Sequence, residues 1–189
     1  QDMDQPTPPR LDVHATLDGK NLVVMGTTGF LGKVWLSMLL ERYPNVGTIY
    51  TMVRKKPGLD PDARLWTEIA PSPVFDPLRE KYPGAQFEAF LREKIVPFDG
   101  DVKRELMGVS PELLERMNKD GIAALVNVAG VVDFNPPLDY AIETNAFGAM
   151  NLMALSRALG EAPIMHTSTC YVVGRRDGLI EDHSPLDFP

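Results

Sequence analysis

Residues 21–32 read Asn-Leu-Val-Val-Met-Gly-Thr-Thr-Gly-Phe-Leu-Gly, an apolar run followed by three glycines spaced G-x-x-G-x-x-G. The apolar run Asn21–Met25 predicts a β-strand, and the pattern from Phe30 to about Arg42 predicts a helix. A strand, a glycine turn and a helix form the arrangement in which backbone N–H groups at a helix N-terminus hold a pyrophosphate. The stretch therefore predicts a dinucleotide site, with a plain strand–turn–helix as the alternative.

Each of the three glycines has its own expected role. Gly26 allows the chain to turn sharply off the strand, because glycine adopts backbone conformations that other residues avoid. Gly29 leaves room for a phosphate to approach the backbone, and Gly32 lets the helix pack close to the sheet. We therefore predict that a bulky side chain at Gly29 weakens dinucleotide binding.

The composition limits the classes of function. The net charge of −7 argues against a nucleic-acid surface, which needs a basic face. The single cysteine, Cys170, permits no internal disulfide and suits a reducing compartment, so we predict a cytoplasmic protein. The sequence has no cluster of cysteine and histidine that would predict a metal site. The longest apolar tract, residues 22–40, is interrupted by the glycine turn and by Lys33, so no membrane span is predicted.

The rest of the chain alternates between predicted strands and predicted helices. Helical patterns lie at residues 60–93, with two interruptions, after the cap formed by Ser110 and Pro111, and at about residues 138–159. Apolar runs predict four further strands, at residues 48–53, 94–98, 123–128 and 163–168.

This alternation predicts an α/β fold, a Rossmann-like doubly wound parallel sheet. Right-handed crossovers arrange its strands, at least five of them, in the order 3-2-1-4-5, with a ligand over their C-terminal ends. We assign residues 1–18, which begin polar and proline-rich, to a linker or disordered arm, and residues 19–189 to the nucleotide-binding domain.

The second predicted strand ends in three basic residues, Arg54, Lys55 and Lys56. In dinucleotide folds this strand end meets the adenosine ribose. An acid there binds the 2′-hydroxyl of NAD, whereas an arginine accommodates the 2′-phosphate of NADP. No acid stands at this tip, so the sequence favours NADP(H), held by Arg54 and Lys55. The alternative is a solvated basic turn.

Seven segments together resemble the extended short-chain dehydrogenase/reductase superfamily. They look most like fatty acyl-CoA reductases, whose relatives include the thioester-reductase domains of carboxylic acid reductases. The matching segments are GTTGFLGK at 26–33, MVRKK at 52–56, RLWTEIAPSPVFDPLRE at 64–80, KIVPFDGDV at 94–102, NVAGVVDFN at 127–135, ETNAFGAMNL at 143–152 and STCYVVG at 168–174.

The resemblance implies a role for each matching site residue. The pyrophosphate is expected at the glycine turn, the adenine after the third strand, and the nicotinamide end of the cofactor after the fourth. An asparagine on the following helix is expected to support the active site, and hydroxyls after the fifth strand to act on the substrate carbonyl. The residues at the pyrophosphate are Gly26, Thr28, Gly29, Phe30, Leu31 and Gly32. Asp101 and Val102 are expected at the adenine, and Ala129 and Gly130 at the nicotinamide end. Asn145 is the supporting asparagine, and Ser168 and Thr169 carry the hydroxyls that act on the substrate.

Two further side chains near the fifth strand resemble catalytic groups but are interpreted otherwise. His166 lies on the opposite strand face, so we predict a packing role or a core hydrogen bond for it, and no role as a base. The family's proton donor is a tyrosine followed by a lysine four residues later. Tyr171 is followed at that spacing by Arg175, and no tyrosine in the sequence has a lysine there.

The implied activity is NADPH-dependent reduction of a fatty acyl thioester, acyl-CoA, to an aldehyde and on to a primary alcohol. Because the tyrosine–lysine pair is missing, we interpret the sequence as the cofactor-binding part of a longer reductase, truncated after strand five and inactive by itself. Three alternatives stay open: a carrier-protein thioester reductase, a non-catalytic NADP-binding module, and a sugar-nucleotide epimerase or dehydrogenase, which shares the fold.

Overall fold

The computed structural model describes residues 12–174 and 178–181. Five parallel strands form one sheet in the order β3-β2-β1-β4-β5, as the sequence predicted. The first strand occupies the centre, so the glycine turn that follows it opens in the middle of the C-terminal edge. The strands are β1 Asn21–Met25, β2 Ile49–Met52, β3 Ile95–Phe98, β4 Ile122–Asn127 and β5 Ile164–His166.

Helical segments connect these strands. The crossover between β2 and β3 is long and contains several short helices, as its interrupted pattern indicated. The α-helices are α1 Val13–Leu17, α2 Phe30–Arg42, α3 Pro61–Arg64, α4 Asp76–Lys81, α5 Ala85–Lys94, α6 Pro111–Asp120, α7 Leu138–Ala141 and α8 Gly148–Ala158. Turns of π-helix cover Leu65–Ile69 and Ile142–Phe147, and 3₁₀ turns cover Pro73–Phe75, Glu105–Gly108 and Cys170–Val173.

The core has two layers, one on each face of the sheet. Successive residues of a strand point to opposite faces. Leu22 and Val24 of β1 therefore belong to the layer that contains Leu36 and Leu40 of α2. Val23 and Met25 of β1 belong to the layer that α8 covers. Helices on both faces explain why β1 reads as an unbroken apolar run.

Two predicted elements differ in detail from the structure. Residues 12–18 lie within the expected linker, yet they form α1, which Asp12 caps by accepting the Ala15 N–H. The chain then pairs through Asp18 with Val46, and Leu17 packs against the core. Residues 1–11 and 182–189 lie outside the described part, so the domain bounds stay a prediction. The helix expected at 138–159 is interrupted by the π turn Ile142–Phe147.

The edge strand β5 is shorter than the apolar run that predicted it, and all three of its residues are exposed. Over the described ranges, no helix has both the length and the apolar character needed to cross a bilayer.

Candidate functional site

A groove of about 510 Å³ opens at the C-terminal edge of the sheet, between β1 and its two neighbours. This is the crevice in which doubly wound sheets bind ligands. It brings together residues from six separate parts of the sequence. The described residues that line it are Gly26, Thr28, Gly29, Met52, Arg54, Lys55, Lys56, Arg64, Asp101, Val102, Val128, Ala129, Gly130, Val131, Tyr140 and Thr144.

Two glycines of the turn are required by the packing of the protein itself. Gly26 has a φ of 95°, and a Cβ on it would lie 2.7 Å from the backbone N of Ala129. A Cβ on Gly32 would collide with the Gly26 carbonyl oxygen and lie 2.8 Å from Thr27 Cα. The expected roles of these two residues, a sharp turn and a close approach of α2, therefore match the geometry.

Gly29 lies in a different environment. Its backbone, with φ −79° and ψ 170°, suits any residue. Within the described part of the chain, a Cβ on Gly29 would approach one backbone atom, Gly26 O, at 3.4 Å. Gly29 is also the N-cap of α2 and carries no side chain to bond the first N–H groups of that helix. The open space and these N–H groups together suit an anion.

The turn is held from beneath by a hydrogen bond that the sequence analysis missed. The hydroxyls of Thr27 and Thr51 lie 2.6 Å apart, and both side chains are fully buried. This bond ties the glycine turn to β2. By contrast, Phe30, Leu31 and Gly32 do not appear among the described residues that line the groove, and the Phe30 side chain is 81% exposed. These three residues therefore lie outside the described lining, in the first turn of α2.

The basic tip after β2 lines the groove, and two of its cations, Arg54 and Lys55, are paired with carboxylates of the loop after β3. Arg54 Nη1 lies 3.7 Å from Asp101 Oδ2. The backbone N–H of Lys55 donates to Asp99 Oδ1 at 3.0 Å, and Arg104 lies 3.3 Å from the other oxygen. Burial by itself raises the pKa of Asp99, but the hydrogen bonds from Lys55 and Arg104 outweigh it and lower that pKa. The carboxylate therefore anchors the backbone of the tip.

A buried arginine, Arg64, joins this cluster from the crossover. Its side chain is 7% exposed and donates to the Arg54 carbonyl oxygen and, at 2.5 Å, to Glu68. The hydrogen bonds from Arg64 and then Lys56 lower the pKa of Glu68 to about 2. Arg64 stands in the matching segment 64–80 but was not predicted to belong to the site. Arg64 and Glu68 lie four residues apart in a helical pattern, and this spacing alone could have predicted that the two side chains form an ion pair.

The loop after β3 presents Asp101 and Val102 to the groove, as expected. Asp101 also accepts the Lys103 N–H at 3.0 Å, which shapes the loop. The carbonyl of Val102 accepts a hydrogen bond of 2.8 Å from Asn151, and its side chain packs against Gly148 at the start of α8. Both residues are therefore held in place by contacts within the protein.

The segment after β4, residues 129–131, is held by Asn145. The side-chain oxygen of Asn145 accepts the Val131 N–H at 2.9 Å, and its amide nitrogen donates to the Val131 carbonyl at 3.3 Å. Ala129 and Gly130 of this segment line the groove, whereas Asn145 is not among the described lining residues. Asn145 thus contacts the site through the backbone of the segment.

Ser168 and Thr169 follow β5 and are both exposed. They do not belong to the described lining of the groove. Thr169 Oγ1 accepts the Tyr171 N–H at 3.2 Å and so caps the 3₁₀ turn Cys170–Val173. His166 lies at the exposed edge, where its Nδ1 is 3.0 Å from Asn127 Nδ2. Among the described residues, no group of His, Cys, Asp and Glu side chains could hold a metal ion.

Comparison with known proteins identifies the family. An NAD-binding family model, described as male sterility protein, matches residues 24–186. The chain belongs to this family. Fatty acyl-CoA reductase 8 of Arabidopsis thaliana is 34% identical over 168 residues, which are 88% of this chain and 34% of that protein. Fatty acyl-CoA reductase 1 of Mus musculus is 33% identical over 165 residues, which are 87% of this chain and 30% of that protein.

A solved structure shows the same fold. The terminal R domain from the myxalamid PKS-NRPS biosynthetic pathway superposes with a TM-score of 0.70 at 26% identity, covering 90% of this chain and 40% of that one. The chain spans about a third of the length of the two reductases above. The resemblance to fatty acyl-CoA reductases is confirmed, and a family of NAD-binding domains indicates a nicotinamide cofactor.

Proposed function

We propose that this male sterility family domain binds NADP(H) in the groove and is the cofactor-binding part of an NADPH-dependent fatty acyl-CoA reductase. The observation that carries the proposal is the charge of the groove. Its described lining holds four cationic side chains and one carboxylate, although the chain as a whole carries −7. Phosphates are the groups that such a local excess of arginine and lysine attracts.

The residues present fit a dinucleotide. At Gly29 the groove has space that a Cβ would occupy, beside the start of a helix that no side chain caps. This space suits the pyrophosphate, held by the backbone of the turn Gly26–Thr28–Gly29 and of the first turn of α2. The proposed ligands at the two ends are Arg54 and Lys55 for the 2′-phosphate, Asp101 and Val102 for the adenosine, and Ala129 and Gly130 for the nicotinamide ribose.

Replacing Arg54 by alanine tests the preference for NADP. Because the Arg54 side chain lines the groove and is 61% exposed, we expect the Kd of NADPH to rise about 10- to 30-fold, as one charge-assisted contact contributes roughly 1.5–2 kcal/mol. The Kd of NADH should change by less than about 3-fold. Fluorescence titration with each nucleotide measures both constants.

Arg42 provides a matched control, because it is an exposed arginine at the end of α2 and does not belong to the described lining. The variant Arg42→Ala removes the same charge and should leave both constants unchanged. Equal losses of NADPH and NADH affinity in Arg54→Ala would refute a 2′-phosphate contact.

The proposed reaction is reduction of an acyl thioester. Bound NADPH would supply a hydride to the thioester carbonyl, so that loss of the thiol leaves an aldehyde, and a second hydride would give a primary alcohol. Thr169 is the proposed donor to the carbonyl oxygen, with Ser168 beside it. Because Thr169 Oγ1 already accepts the Tyr171 N–H, its own hydrogen is oriented away from that bond and available to the substrate.

We expect residues 1–189 alone to bind NADPH without reducing acyl-CoA, because no tyrosine in them is followed by lysine at the required spacing.

Replacing Thr169 by valine tests the proposed role of its hydroxyl in the longer reductase. In the longer protein, Thr169→Val should lower kcat by about 100-fold with NADPH affinity unchanged. Acyl-CoA-dependent NADPH oxidation measures kcat. Thr169→Ser keeps the hydroxyl and should keep most of the activity; a serine variant as slow as valine would count against the role.

A thioester carried on the phosphopantetheine arm of a carrier protein is the second candidate substrate. Similarity to the terminal R domain favours it. The same oxidation assay separates the candidates when acyl-CoA and an acyl-carrier protein with the same acyl group are compared. Faster turnover of the carrier-bound thioester would replace acyl-CoA as the proposed substrate.

A further inference from the structure

Asn127 is the last residue of β4 and precedes Val128, which lines the groove, and both ends of its side-chain amide are engaged. The residue is 3% exposed. Its Oδ1 accepts the Ala129 N–H at 3.0 Å, and its Nδ2 lies 3.0 Å from Nδ1 of His166 on β5. The two strands are in register at this point, since Asn127 pairs with His166. A buried amide thus links the edge strand to the segment that lines the groove.

The chemistry of the two bonds determines the state of the imidazole. The backbone N–H of Ala129 can only donate, so the amide oxygen of Asn127 must face it. The amide nitrogen then faces His166 and needs an acceptor. A neutral imidazole that accepts at Nδ1 carries its proton on Nε2. The arrangement therefore requires the Nε2–H tautomer of His166.

The position of Ala129 matters to the glycine turn. A Cβ built on Gly26 would lie 2.7 Å from Ala129 N and 2.8 Å from the Val128 carbonyl oxygen, so this peptide lies directly against the turn. Two asparagines hold the segment: Asn127 bonds Ala129, and Asn145 bonds Val131 two residues further on. If the hydrogen bond between Asn127 and Ala129 shifted, the Val128–Ala129 peptide, which packs against Gly26, would move with it.

We propose that His166 is a positioning residue for the nucleotide site: its Nε2–H tautomer orients the Asn127 amide, which fixes Ala129 beside the glycine turn. This inference rests on the proposed function for the identity of the nucleotide. In this role His166 cannot act as a base through Nδ1, because Nδ1 already accepts the hydrogen bond from Asn127.

Two substitutions of His166 test the proposal through NADPH affinity. His166→Leu removes the acceptor and leaves a buried amide N–H without a partner, so we expect affinity to fall about 10-fold. His166→Asn restores an acceptor, because the Oδ1 of asparagine and the Nδ1 of histidine are each three bonds from Cα and so lie at about the same distance from the backbone. This variant should stay within about 3-fold of the parent. An asparagine variant that loses as much affinity as leucine would overturn the proposal.

Nitrogen-15 NMR of the imidazole gives a readout that does not depend on NADPH. The sequence has three histidines, and the signal that disappears in His166→Asn identifies His166. We expect its Nδ1 at the frequency of an unprotonated nitrogen and its Nε2 at that of a protonated one. A proton on Nδ1 of the neutral ring would overturn the proposal.

The outcomes separate this inference from the proposed function. If the parent chain fails to bind NADPH, the proposed function is wrong. The tautomer of His166 then still shows whether its Nδ1 accepts the hydrogen bond from Asn127. If the parent binds and His166→Leu binds equally well, the positioning role alone is wrong. If His166→Leu does not fold, the asparagine variant and the tautomer decide.

Discussion

Replacing Gly29 by valine is expected to weaken NADPH binding by about 100-fold, because two charge-assisted hydrogen bonds of roughly 1.5 kcal/mol each are lost. The side chain would occupy the space in which the pyrophosphate is proposed to lie. Gly29 lines the groove, and its Cβ position is open apart from Gly26 O at 3.4 Å. Isothermal titration of the purified chain with NADPH measures the loss.

The fold itself should accept this substitution. Gly29 has an extended backbone that does not require glycine. Valine is a poor N-cap, so we expect the free energy of unfolding to fall by no more than about 1–2 kcal/mol. Urea denaturation followed by circular dichroism measures this quantity. Binding and stability are therefore expected to separate at this position.

Gly29→Ser is the matched control for the start of α2. Serine is a preferred N-cap residue, so this variant should be at least as stable as the parent. Its hydroxyl would use an N–H group that the phosphate needs, so NADPH affinity should still fall. Undiminished NADPH binding by Gly29→Val would remove the basis for a pyrophosphate at this turn.

Gly32→Ala is expected to destabilise the protein by about 3 kcal/mol or more, as overpacking against rigid atoms does. Helix propensity alone predicts the opposite, since alanine favours a helix over glycine by about 1 kcal/mol. Here the added Cβ would collide with the Gly26 carbonyl oxygen and lie 2.7 Å from the carbonyl carbon. These are backbone atoms, so no side-chain rotation relieves the clash and α2 must move away from the turn.

Gly148→Ala offers the same substitution in a different packing environment. Its Cβ would lie 3.3 Å from the side chain of Val102, which can shift slightly. We expect a change in the free energy of unfolding of no more than about 1 kcal/mol. Urea denaturation compares the two variants. If Gly32→Ala were as stable as the parent, the close contact between α2 and the turn would be refuted.

The fold was predictable because its signals are local. The apolar run Asn21–Met25, the three glycines and the helix that follows lie within one short stretch, and the sheet order followed from the handedness of crossovers. The interruption of the last long helix at Ile142–Phe147 was not foreseen, because no sequence pattern distinguishes a π turn from the α-helix on either side of it. The assigned roles of Ser168 and Thr169 stay predictions.

Local pattern alone was enough to indicate a Rossmann-like sheet with a phosphate-sized turn after β1, because strand and helix periodicities and glycine spacing act over a few residues. The contacts that shape the groove came from packing. Thr27 meets Thr51, Arg64 reaches the backbone of Arg54, and His166 bonds Asn127. Each pair lies 10 to 39 residues apart, and its partners become neighbours only when helices and strands are stacked, so no short-range pattern records them.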